Sequence, residues 1–399
     1  MAQDKDRKNL NVPPLRFPGF TDEWNTNSLS DFFEFKNGLN PDAKRFGQGT
    51  KFISVSDILN NDYIDYDRII SSVTPSKKEL EEFGVNRGDI LFQRSSETLE
   101  DVGRANVYMD DRVALFGGFV IRGKKKSEYE PYFMRYALSA PINRKKIIVK
   151  GAGAQHFNIG QEGLSKVLMN IPNIDEQTKI GHLLYLIDRR IATQNKIIED
   201  LKKLKSAIID CHFNGRKANN RLGDLIHEVS NRNKRNTDLP VLSVSNRQGF
   251  IAQSEQFDNR IIASDDTSNY KIVIKNDFAY NPARINVGSI ARLVNYESGI
   301  VSPMYICFRC SDEILPEYLE LFFQSRYFQL EVEKRLEGSV RLCLSMDGIK
   351  SIQFSLLPIY EQKALTEKLK AIQSKLDNES SINFQYQKIR KHLLSNMFI

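Results

Sequence analysis

Histidines, which often supply acid-base catalysis or metal ligands, are scattered along this chain of 399 residues. They are His156, His182, His212, His227 and His392, and none of them makes HExxH or another metal-ligand spacing. His182 and His212 fall on one predicted helix, too far apart along its axis for their rings to meet. We therefore expect ordinary polar or capping roles for these rings and predict no catalytic residue.

The cysteines offer one spacing of chemical interest, the CxxC formed by Cys307 and Cys310. It lies in MYICFRC, whose apolar and aromatic composition predicts a strand. Residues three apart on a strand point to opposite faces, so the two thiols cannot easily chelate zinc, and the sequence holds no second CxxC. We predict no metal site, and we expect Cys211 and Cys343 to be single packed thiols.

Glycine loops that hold nucleotide cofactors are also missing, since neither GxGxxG nor GxxxxGK[ST] occurs. NPAR at 281–284 resembles part of the Asn-Pro-Pro-aromatic loop of amino methyltransferases, but it lacks the second proline and the aromatic residue. We interpret NPAR as a turn. A fused methyltransferase or nuclease is the enzyme alternative, and binding of S-adenosylmethionine by the purified chain alone would support it.

Basic and amide side chains cluster in segments that read as loops, and the chain carries a net charge of +7. Such side chains bind phosphates and read base edges in the major groove, so the clusters indicate a nucleic-acid partner. For any single residue, a solvated loop is the alternative. The candidate DNA-binding residues are Lys44, Arg45, Lys51, Gln93, Arg94, Arg104, Asn106, Lys145, Lys146, Gln155, His156, Arg232, Lys234, Arg235, Asn246, Arg247, Asn281, Arg284, Asn286 and Arg341.

The elements that would position these loops occur twice. IDEQTKI at 174–180 and IYEQKAL at 359–365 align after a shift of 185 residues, which also places Phe213 on Phe398. A period this long indicates a duplicated domain rather than a solenoid. Upstream, the segments that resemble each other are NSLSDFFEF with NRLGDLIHE, ISVSD with LSVSN, and VNRGDILFQ with VIKNDFAYN.

Each copy begins with strand-rich sequence that contains shorter helical stretches. Six segments are rich in β-branched and aromatic residues, with apolar residues that alternate or follow one another, as in strands. They are KFISVSDI, DILFQRS and ALFGGFVIR in the first copy and LPVLSVSN, DFAYNPA and PMYICFRC in the second. Helical stretches follow at 130–147 and 316–336. Each copy therefore reads as a compact α+β globule.

Each copy then ends in a long predicted helix with a heptad pattern of apolar residues. Pro172 and Pro358 suit helix entry, and Gln194 and Glu379 occupy equivalent polar seam positions that can fix register. Antiparallel packing of the helices would bury both seams, whereas packing of each helix on its own globule is the alternative. The residues predicted for the helix pair and for partner docking are Glu176, Gln177, Ile180, Leu184, Ile187, Ile191, Glu361, Gln362, Leu365, Leu369, Ile372 and Leu376.

The predicted fold class is therefore α+β, with two tandem α/β domains separated and followed by long helices that pair as an antiparallel coiled coil. No run of 18 apolar residues occurs, so we predict no membrane span. The first residues, MAQDKDRKNL, contain no apolar h-region. We therefore expect a cytoplasmic protein.

Two α+β globules, each followed by a long helix that opens on an EQ signature, resemble the specificity subunit of type I restriction-modification systems. The resemblance covers nearly the whole chain, and the second copy has one residue fewer between Pro358 and Glu361. The matching segments are IPNIDEQTKIGHLLYLIDRRI, LPIYEQKALTEKLKAIQ and PPLRFPGFTDEW. The resemblance implies a first target recognition domain at 1–172, a spacer helix at 173–215, a second target recognition domain at 216–357 and a second spacer helix at 358–399.

In that family each recognition domain reads one half of a bipartite site in double-stranded DNA. The helices set the spacing and dock two methyltransferase subunits, and restriction-translocase subunits join the complex. The resemblance implies no cofactor in this chain, with S-adenosylmethionine, ATP and magnesium in the partner subunits. The helix from Ile180 to Ile208 would span about 42 Å, or about 12 base pairs.

Two non-enzymatic alternatives stay open at this point. One is a two-domain protein scaffold that does not bind DNA, and a steep salt dependence of DNA affinity would exclude it. The other is an orphan DNA-binding subunit without active partners.

Overall fold

The computed structural model describes residues 11–153, 156–214, 218–246, 248–253, 266–338 and 341–399. They form two compact units. The first unit is built from the chain up to Asn195 together with Ser381–Ile399, and the second is Lys196–Ser380.

Short strands make up much of each unit. The strands of the first unit are β1 Asn25–Ser28, β2 Phe33–Asn37, β3 Phe46–Ile53, β4 Ser72–Val73, β5 Ile90–Gln93, β6 Ser95–Ser96, β7 Ala105–Val107, β8 Leu115–Phe116, β9 Val120–Lys125, β10 Phe157–Asn158 and β11 Leu168–Ile171. Those of the second unit are β12 Asn220–Arg221, β13 Ile226–Glu228, β14 Val241–Ser245, β15 Gly249–Ala252, β16 Lys271–Ile274, β17 Phe278–Tyr280, β18 Ile290–Arg292, β19 Ser298–Val301, β20 Ile306–Cys310 and β21 Gln353–Phe354.

Two helices are much longer than the others. In chain order the α-helices are α1 Leu29–Phe32, α2 Val55–Asn60, α3 Lys77–Phe83, α4 Pro131–Ser139, α5 Pro141–Ile148, α6 Gln161–Ser165, α7 Ile174–Phe213, α8 Leu222–Leu225, α9 Pro316–Phe323, α10 Arg326–Glu333, α11 Met346–Lys350 and α12 Ile359–Asn396. Single 3-10 turns lie at Ala43–Arg45, Tyr66–Arg68 and Ile285–Val287.

The four-stranded antiparallel sheets that contain β5 and β17 have the same strand order in the two units. An antiparallel sheet runs β2-β9-β5-β7 in the first unit and β13-β20-β17-β18 in the second. A second sheet contains a parallel pair, β3 with β8 in the first unit and β14 with β19 in the second. The duplication predicted from the sequence is therefore visible in the topology.

A shared turn explains part of this likeness. Gly88 and Asn276 stand at equivalent positions before β5 and β17, with φ angles of +91° and +73°. Glycine, and less often asparagine, adopts this left-handed conformation readily. The buried carboxylates of Asp89 and Asp277 each accept a hydrogen bond from the backbone N–H three residues earlier, at 3.0 and 2.9 Å. The same local chemistry thus starts the same central strand in both units.

The helical stretch at 130–147 is interrupted in the structure. Ala140 has ψ of 137° between α4 and α5, because a residue before proline is pushed out of the helical region by Pro141. The stretch at 316–336 breaks at Ser325, whose hydroxyl accepts a hydrogen bond from the N–H of Phe328 at 3.1 Å. Each unit therefore packs two short helices, rather than one long one, against its antiparallel sheet.

The long helices α7 and α12 run side by side and antiparallel. Within the first unit, Asp188 forms an ion pair with Arg390 at 2.5 Å, and Asn383 donates a hydrogen bond to Asn195 at 2.9 Å. Residue numbers therefore rise along α7 as they fall along α12. Within the second unit, the Nζ atom of Lys205 donates to Gln373 at 2.8 Å. The predicted antiparallel pairing is confirmed.

Each unit buries the end of one long helix against its globule. Phe398, two residues after the end of α12, packs in the first core with ring-centroid distances of 5.6 Å to Phe133 and 6.5 Å to Trp24. Phe213, at the end of α7, lies 5.3 Å from Tyr318 in the second core. The globule of each repeat therefore holds the start of its own helix and the end of the other repeat's helix.

Candidate nucleic-acid interface

One concave surface of the second unit gathers several of the residues predicted to bind DNA. Asn246, Asn281, Arg284 and Arg341 line a cavity of about 820 Å³. Asn246 follows β14, Asn281 follows β17, and Arg341 precedes α11. Residues almost 100 positions apart in the sequence thus present amides and guanidinium groups to one space, the side chains that bind bases and phosphates.

Backbone hydrogen bonds hold these loops together. The N–H of Leu344 donates to the carbonyl of Pro282 at 3.1 Å, which ties the loop at 341–344 to the loop after β17. The amide of Asn246 donates to the carbonyl of Val287 at 3.3 Å. Since rigid loops lose little entropy on binding, the concave surface is suited to recognition.

Sequence reasoning missed other residues of the same surface. Tyr270, Ser302 and Met304 also line it, and Met304 is 61% exposed. None of the three belongs to a basic or amide-rich segment, which was the signal used. The sheet order places them here: β20 pairs with β17, which brings in Ser302 and Met304 from the loop before β20, and Tyr270 directly precedes β16, which pairs with β19.

The first unit repeats the arrangement with different side chains. The N–H of Ile159 donates to the carbonyl of Arg94 at 3.0 Å, the counterpart of the bond between Leu344 and Pro282. The Arg94 guanidinium donates to the carbonyl of Gly118 at 3.3 Å. His156 is exposed in the loop that leads to Ile159. Arg94 and His156 are therefore brought to one group of loops.

Positive charge gathers beside these loops. Arg144 on α5 donates to the carbonyls of Val102 and Gly103 at 2.7 and 2.8 Å, so its charge lies next to the exposed Arg104. Burial, and then the charge of Arg104, lowers the pKa of Arg144 to about 10, which leaves it charged at neutral pH. Arg104 has an acidic neighbour, Asp101, at 2.7 Å. The remaining positive potential favours an anionic ligand.

The glutamine of the first EQ signature joins α7 to the first globule. Gln177 is 4% exposed, accepts a hydrogen bond from the N–H of Glu130 at 3.0 Å and donates to the carbonyl of Pro172 at 2.9 Å. Glu130 in turn caps α4 by accepting from the N–H of Phe133. One amide therefore fixes the start of the long helix against the start of a globule helix.

The second signature repeats this contact. Gln362 is completely buried and accepts a hydrogen bond from the N–H of Leu315, directly before α9, at 2.8 Å. It donates to the carbonyls of Glu313 and Leu357 at 3.0 and 2.8 Å. The glutamine recurs because each unit needs the same amide at the same junction.

The two glutamates of the signatures differ. Glu176 is buried and accepts hydrogen bonds from the Nε and Nη2 atoms of Arg16 at 2.6 and 2.7 Å and from the Trp24 indole N–H at 3.2 Å. Glu361 is partly exposed and accepts from the hydroxyl of Tyr360 at 3.0 Å. Glu176 therefore anchors the segment before β1, whereas Glu361 faces the surface.

Comparisons with known proteins agree with this architecture. Residues 21–203 match the family described as the type I restriction modification DNA specificity domain. The putative type I restriction enzyme MjaX specificity subunit of Methanocaldococcus jannaschii is 22% identical over 404 residues, which cover 94% of this chain and 92% of that protein. The S subunit of a type I restriction-modification system from M. genitalium shares the fold, with a TM-score of 0.60 at 15% identity over 97% of this chain and 99% of the other. Residues 21–203 therefore belong to the type I restriction modification DNA specificity domain family, and the chain as a whole is similar to type I specificity subunits.

A further solved structure has the same fold. A chain from work on complex assembly and conformational transition of the type I R-M system superposes with a TM-score of 0.54 at 12% identity, over 96% of this chain and 98% of the other. The specificity subunit is the non-catalytic recognition part of its system, and its family carries no cofactor. The function of this chain is therefore DNA specificity.

Two of the residues predicted to bind DNA lie inside the specificity subunit. Asn106 is 1% exposed and donates to the carbonyls of Ile58 and Asn61 at 3.1 and 2.8 Å, so it fixes the end of α2. Gln93 is 5% exposed and donates to the carbonyl of Ser95 at 2.9 Å. Buried side chains with these internal roles have no surface for DNA, so we leave both out of the proposed interface.

Other candidates lie on the surface but are engaged within the protein. Arg45 forms an ion pair with Glu79, Lys51 donates to a backbone carbonyl at 2.6 Å, and Arg232 donates to an asparagine at 3.0 Å. Burial lowers the pKa of Lys146 on α5. Gln155 and Arg247 lie outside the described residues. The remaining exposed candidates are Lys44, Lys145, Lys234, Arg235 and Asn286.

The predicted seam residues pack mainly within their own units. Ile180 and Leu184 are completely buried in the first core, and Leu369 is 2% exposed in the second. Leu365 and Ile372 pack at the edge of the second core. The partly buried seam positions are Ile187, Ile191, Leu365, Ile372 and Leu376. The buried seam residues therefore pack the long helices against the globules as well as against each other.

The CxxC lies on strand β20 as predicted. Cys307 pairs with Ala279 and Cys310 with Ile226 on the neighbouring strands. Burial raises the pKa of both thiols to about 12, so they stay protonated at neutral pH. Within the described ranges, no three His, Cys, Asp or Glu side chains gather as a metal ion would require. Among the same residues, no helix is sufficiently long and apolar to cross a membrane.

Proposed function

We propose that each unit of this specificity subunit reads one half of a bipartite site in double-stranded DNA. The observation that carries the proposal is a shared backbone with unlike side chains. Arg94 and His156 stand in the first unit where Pro282 and Arg341 stand in the second, between loops joined by the same hydrogen bond. A common scaffold with different reading groups suits two half-sites of different sequence.

Polar residues on or near these loops, exposed or partly exposed, form the proposed interface. Basic residues contact phosphates and position the protein, and amides and arginines read base edges. Each phosphate contact should add about −0.9 to the slope of log affinity against log salt concentration. The residues proposed are Arg94, Arg104, Lys145 and His156 in the first unit and Asn246, Asn281, Arg284 and Arg341 in the second; Gln155 and Arg247, outside the described residues, are proposed from the sequence alone.

The long helices supply spacing and docking in this proposal. Leu204 and Ile389 are equivalent after the shift of 185 residues, and they are 49% and 46% exposed. Ile174 and Ile359 are also equivalent and are both 42% exposed. Each unit therefore exposes two equivalent apolar side chains on its long helices, Ile174 and Ile389 in the first unit and Ile359 and Leu204 in the second. Two methyltransferase subunits would dock there, since equivalent surfaces bind like partners.

The assembled complex would supply the chemistry in the cytoplasm. Methyltransferase subunits bring S-adenosylmethionine, and restriction-translocase subunits bring ATP and magnesium. The target base would be an adenine, which a methyltransferase flips out of the duplex. The proposed domains are recognition domains at 1–172 and 216–357 and spacer helices at 173–215 and 358–399.

Exchange of one recognition domain tests the proposal. Residues 216–356 would be replaced by those of a relative that recognises a different site, and adenine methylation would be mapped across the host genome. We expect one half of the methylated motif to change and the other to stay. The reciprocal exchange of residues 25–171 is the matched control and should change the opposite half. A motif in which both halves change, or neither does, would overturn the assignment of one half-site to each unit.

A further inference from the structure

Each unit exposes one large apolar side chain at the same structural position. Phe119 is 69% exposed and Met304 is 61% exposed. The two residues are equivalent by strand register. Gly123 on β9 pairs with Ile90 at the start of β5, and Phe308 on β20 pairs with Phe278 at the start of β17. Phe119 lies four positions before Gly123, and Met304 lies four positions before Phe308. A single exposed apolar residue needs no explanation, but recurrence in a duplicated fold does.

Both side chains stand on rigid turns. The N–H of Val120 donates to the carbonyl of Gly117 at 2.8 Å, and the N–H of Tyr305 donates to that of Ser302 at 3.1 Å, which is the same turn in each unit. In the first unit the backbone N–H of Arg94 also donates to the carbonyl of Phe119 at 2.9 Å. The exposure is therefore built into the fold.

The Phe119 turn packs closely against Asn40. A Cβ atom on Gly118 would lie 2.0 Å from the Oδ1 atom of Asn40, so a larger residue there would displace the Asn40 side chain. An apolar side chain that is held in place at the surface does not contribute to core packing, and it is suited to contact with a partner.

The surroundings of both side chains are polar. Met304 lines the concave surface with Asn281, Arg284 and Arg341. Arg94 bonds to the Phe119 turn through its backbone and its guanidinium. In the major groove, the apolar group that base edges present is the 5-methyl group of thymine. Met304 lines a concave surface, which favours contact with a base edge over insertion between base pairs.

We infer that Phe119 and Met304 each contact the methyl group of a thymine, one in each half of the recognised site. This inference rests on the function proposed above. The residues act as specificity determinants, because they distinguish a thymine from any base without the methyl group. Their different shapes are consistent with half-sites of different sequence.

Replacement of thymine by uracil removes the methyl group and keeps the hydrogen-bonding edge. The specificity subunit would be assembled with its methyltransferase, and affinity measured for duplexes carrying the mapped motif with uracil at each thymine in turn. We expect about four-fold weaker binding at one position in each half, the effect of one buried methylene-sized group. Phe119→Ala should remove that difference in the first half, and Met304→Ala in the second.

Each alanine variant has an internal folding control, since the uracil response of the other half should persist. Phe119→Leu and Met304→Leu should retain a response in both halves. The inference is overturned if uracil has no effect anywhere, or if the alanine variants weaken binding to thymine and uracil duplexes equally. Failure of the proposed function would look different, because the wild-type complex would then show no preference for a split motif.

Discussion

Substitution of the buried signature glutamines by methionine tests whether the EQ signature is a structural clamp. Methionine has nearly the same length and fills the space, but it removes both hydrogen-bonding atoms. The N–H of Glu130 would lose its acceptor in Gln177→Met, and the N–H of Leu315 in Gln362→Met. Each change therefore acts at one junction between a long helix and its globule.

The magnitude follows from the number of hydrogen bonds lost. Each bond contributes about 1 kcal/mol net, and a buried group without a partner costs about 1–3 kcal/mol. Gln177 makes two of these bonds and Gln362 makes three. We expect the free energy of local opening to fall by about 2–4 kcal/mol in Gln177→Met and about 3–5 kcal/mol in Gln362→Met.

Amide hydrogen exchange measures this opening at the affected groups. A loss of about 2 kcal/mol should accelerate exchange of the Glu130 amide about 30-fold in Gln177→Met, and a loss of about 3 kcal/mol should accelerate exchange of the Leu315 amide about 160-fold in Gln362→Met, with less change in the other unit. Gln48→Met and Gln329→Met, at exposed positions of the first and second units, are the controls. Unchanged exchange at both junctions would refute the clamp.

Gln362→Glu adds a pH test. A glutamate can donate its single O–H to the carbonyl of Glu313 or of Leu357 only when it is protonated, so its pKa should be raised in the folded protein. The folded state then binds more protons than the unfolded state above the unfolded pKa of about 4.3. Stability should therefore fall as pH rises from about 4 to 7, relative to wild type. Equal stability at both pH values would contradict the proposed donor role.

Further predictions concern the helix ends and the proposed docking surface. Phe398→Ala should destabilise the first unit, and Phe213→Ala the second, each by about 3 kcal/mol through loss of a buried ring, as measured by exchange in each core. Asp188→Asn should lower the free energy of unfolding of the first unit by about 2 kcal/mol, because Arg135 and Arg390 both lose a buried counter-charge. The loss is moderate because Arg390 is 35% exposed to water, and an unchanged urea midpoint would contradict this prediction. Leu204→Asp and Ile389→Asp should each reduce the bound methyltransferase from two copies to one by native mass spectrometry, and retention of both copies would place the docking surface elsewhere.

The comparison of EQ signatures shows where local sequence is informative. A shift of 185 residues reveals the duplication by direct comparison of two segments, and heptad spacing predicts the long helices because that pattern is carried by near neighbours along the chain. Catalytic motifs were not found in the sequence, and family membership then assigned recognition rather than chemistry. The fold class and the general function were thus accessible from the sequence.

Residue roles within the site required the tertiary structure. Asn106 and Arg104 have similar sequence contexts, yet Asn106 is buried and Arg104 is exposed, because β7 lies inside the unit and the turn before it does not. Met304 and Arg341 meet at one surface only through the strand order.

The two kinds of information differ in range. Sequence by itself determined the repeat, the heptads and the polar loops, since periodicity and turn chemistry act over a few residues. Only the tertiary structure decided that Gln177 and Gln362 are buried clamps and that Phe398 completes the first core. Burial depends on which distant segments pack together, and that choice is made by the sum of many long-range contacts rather than by any local pattern.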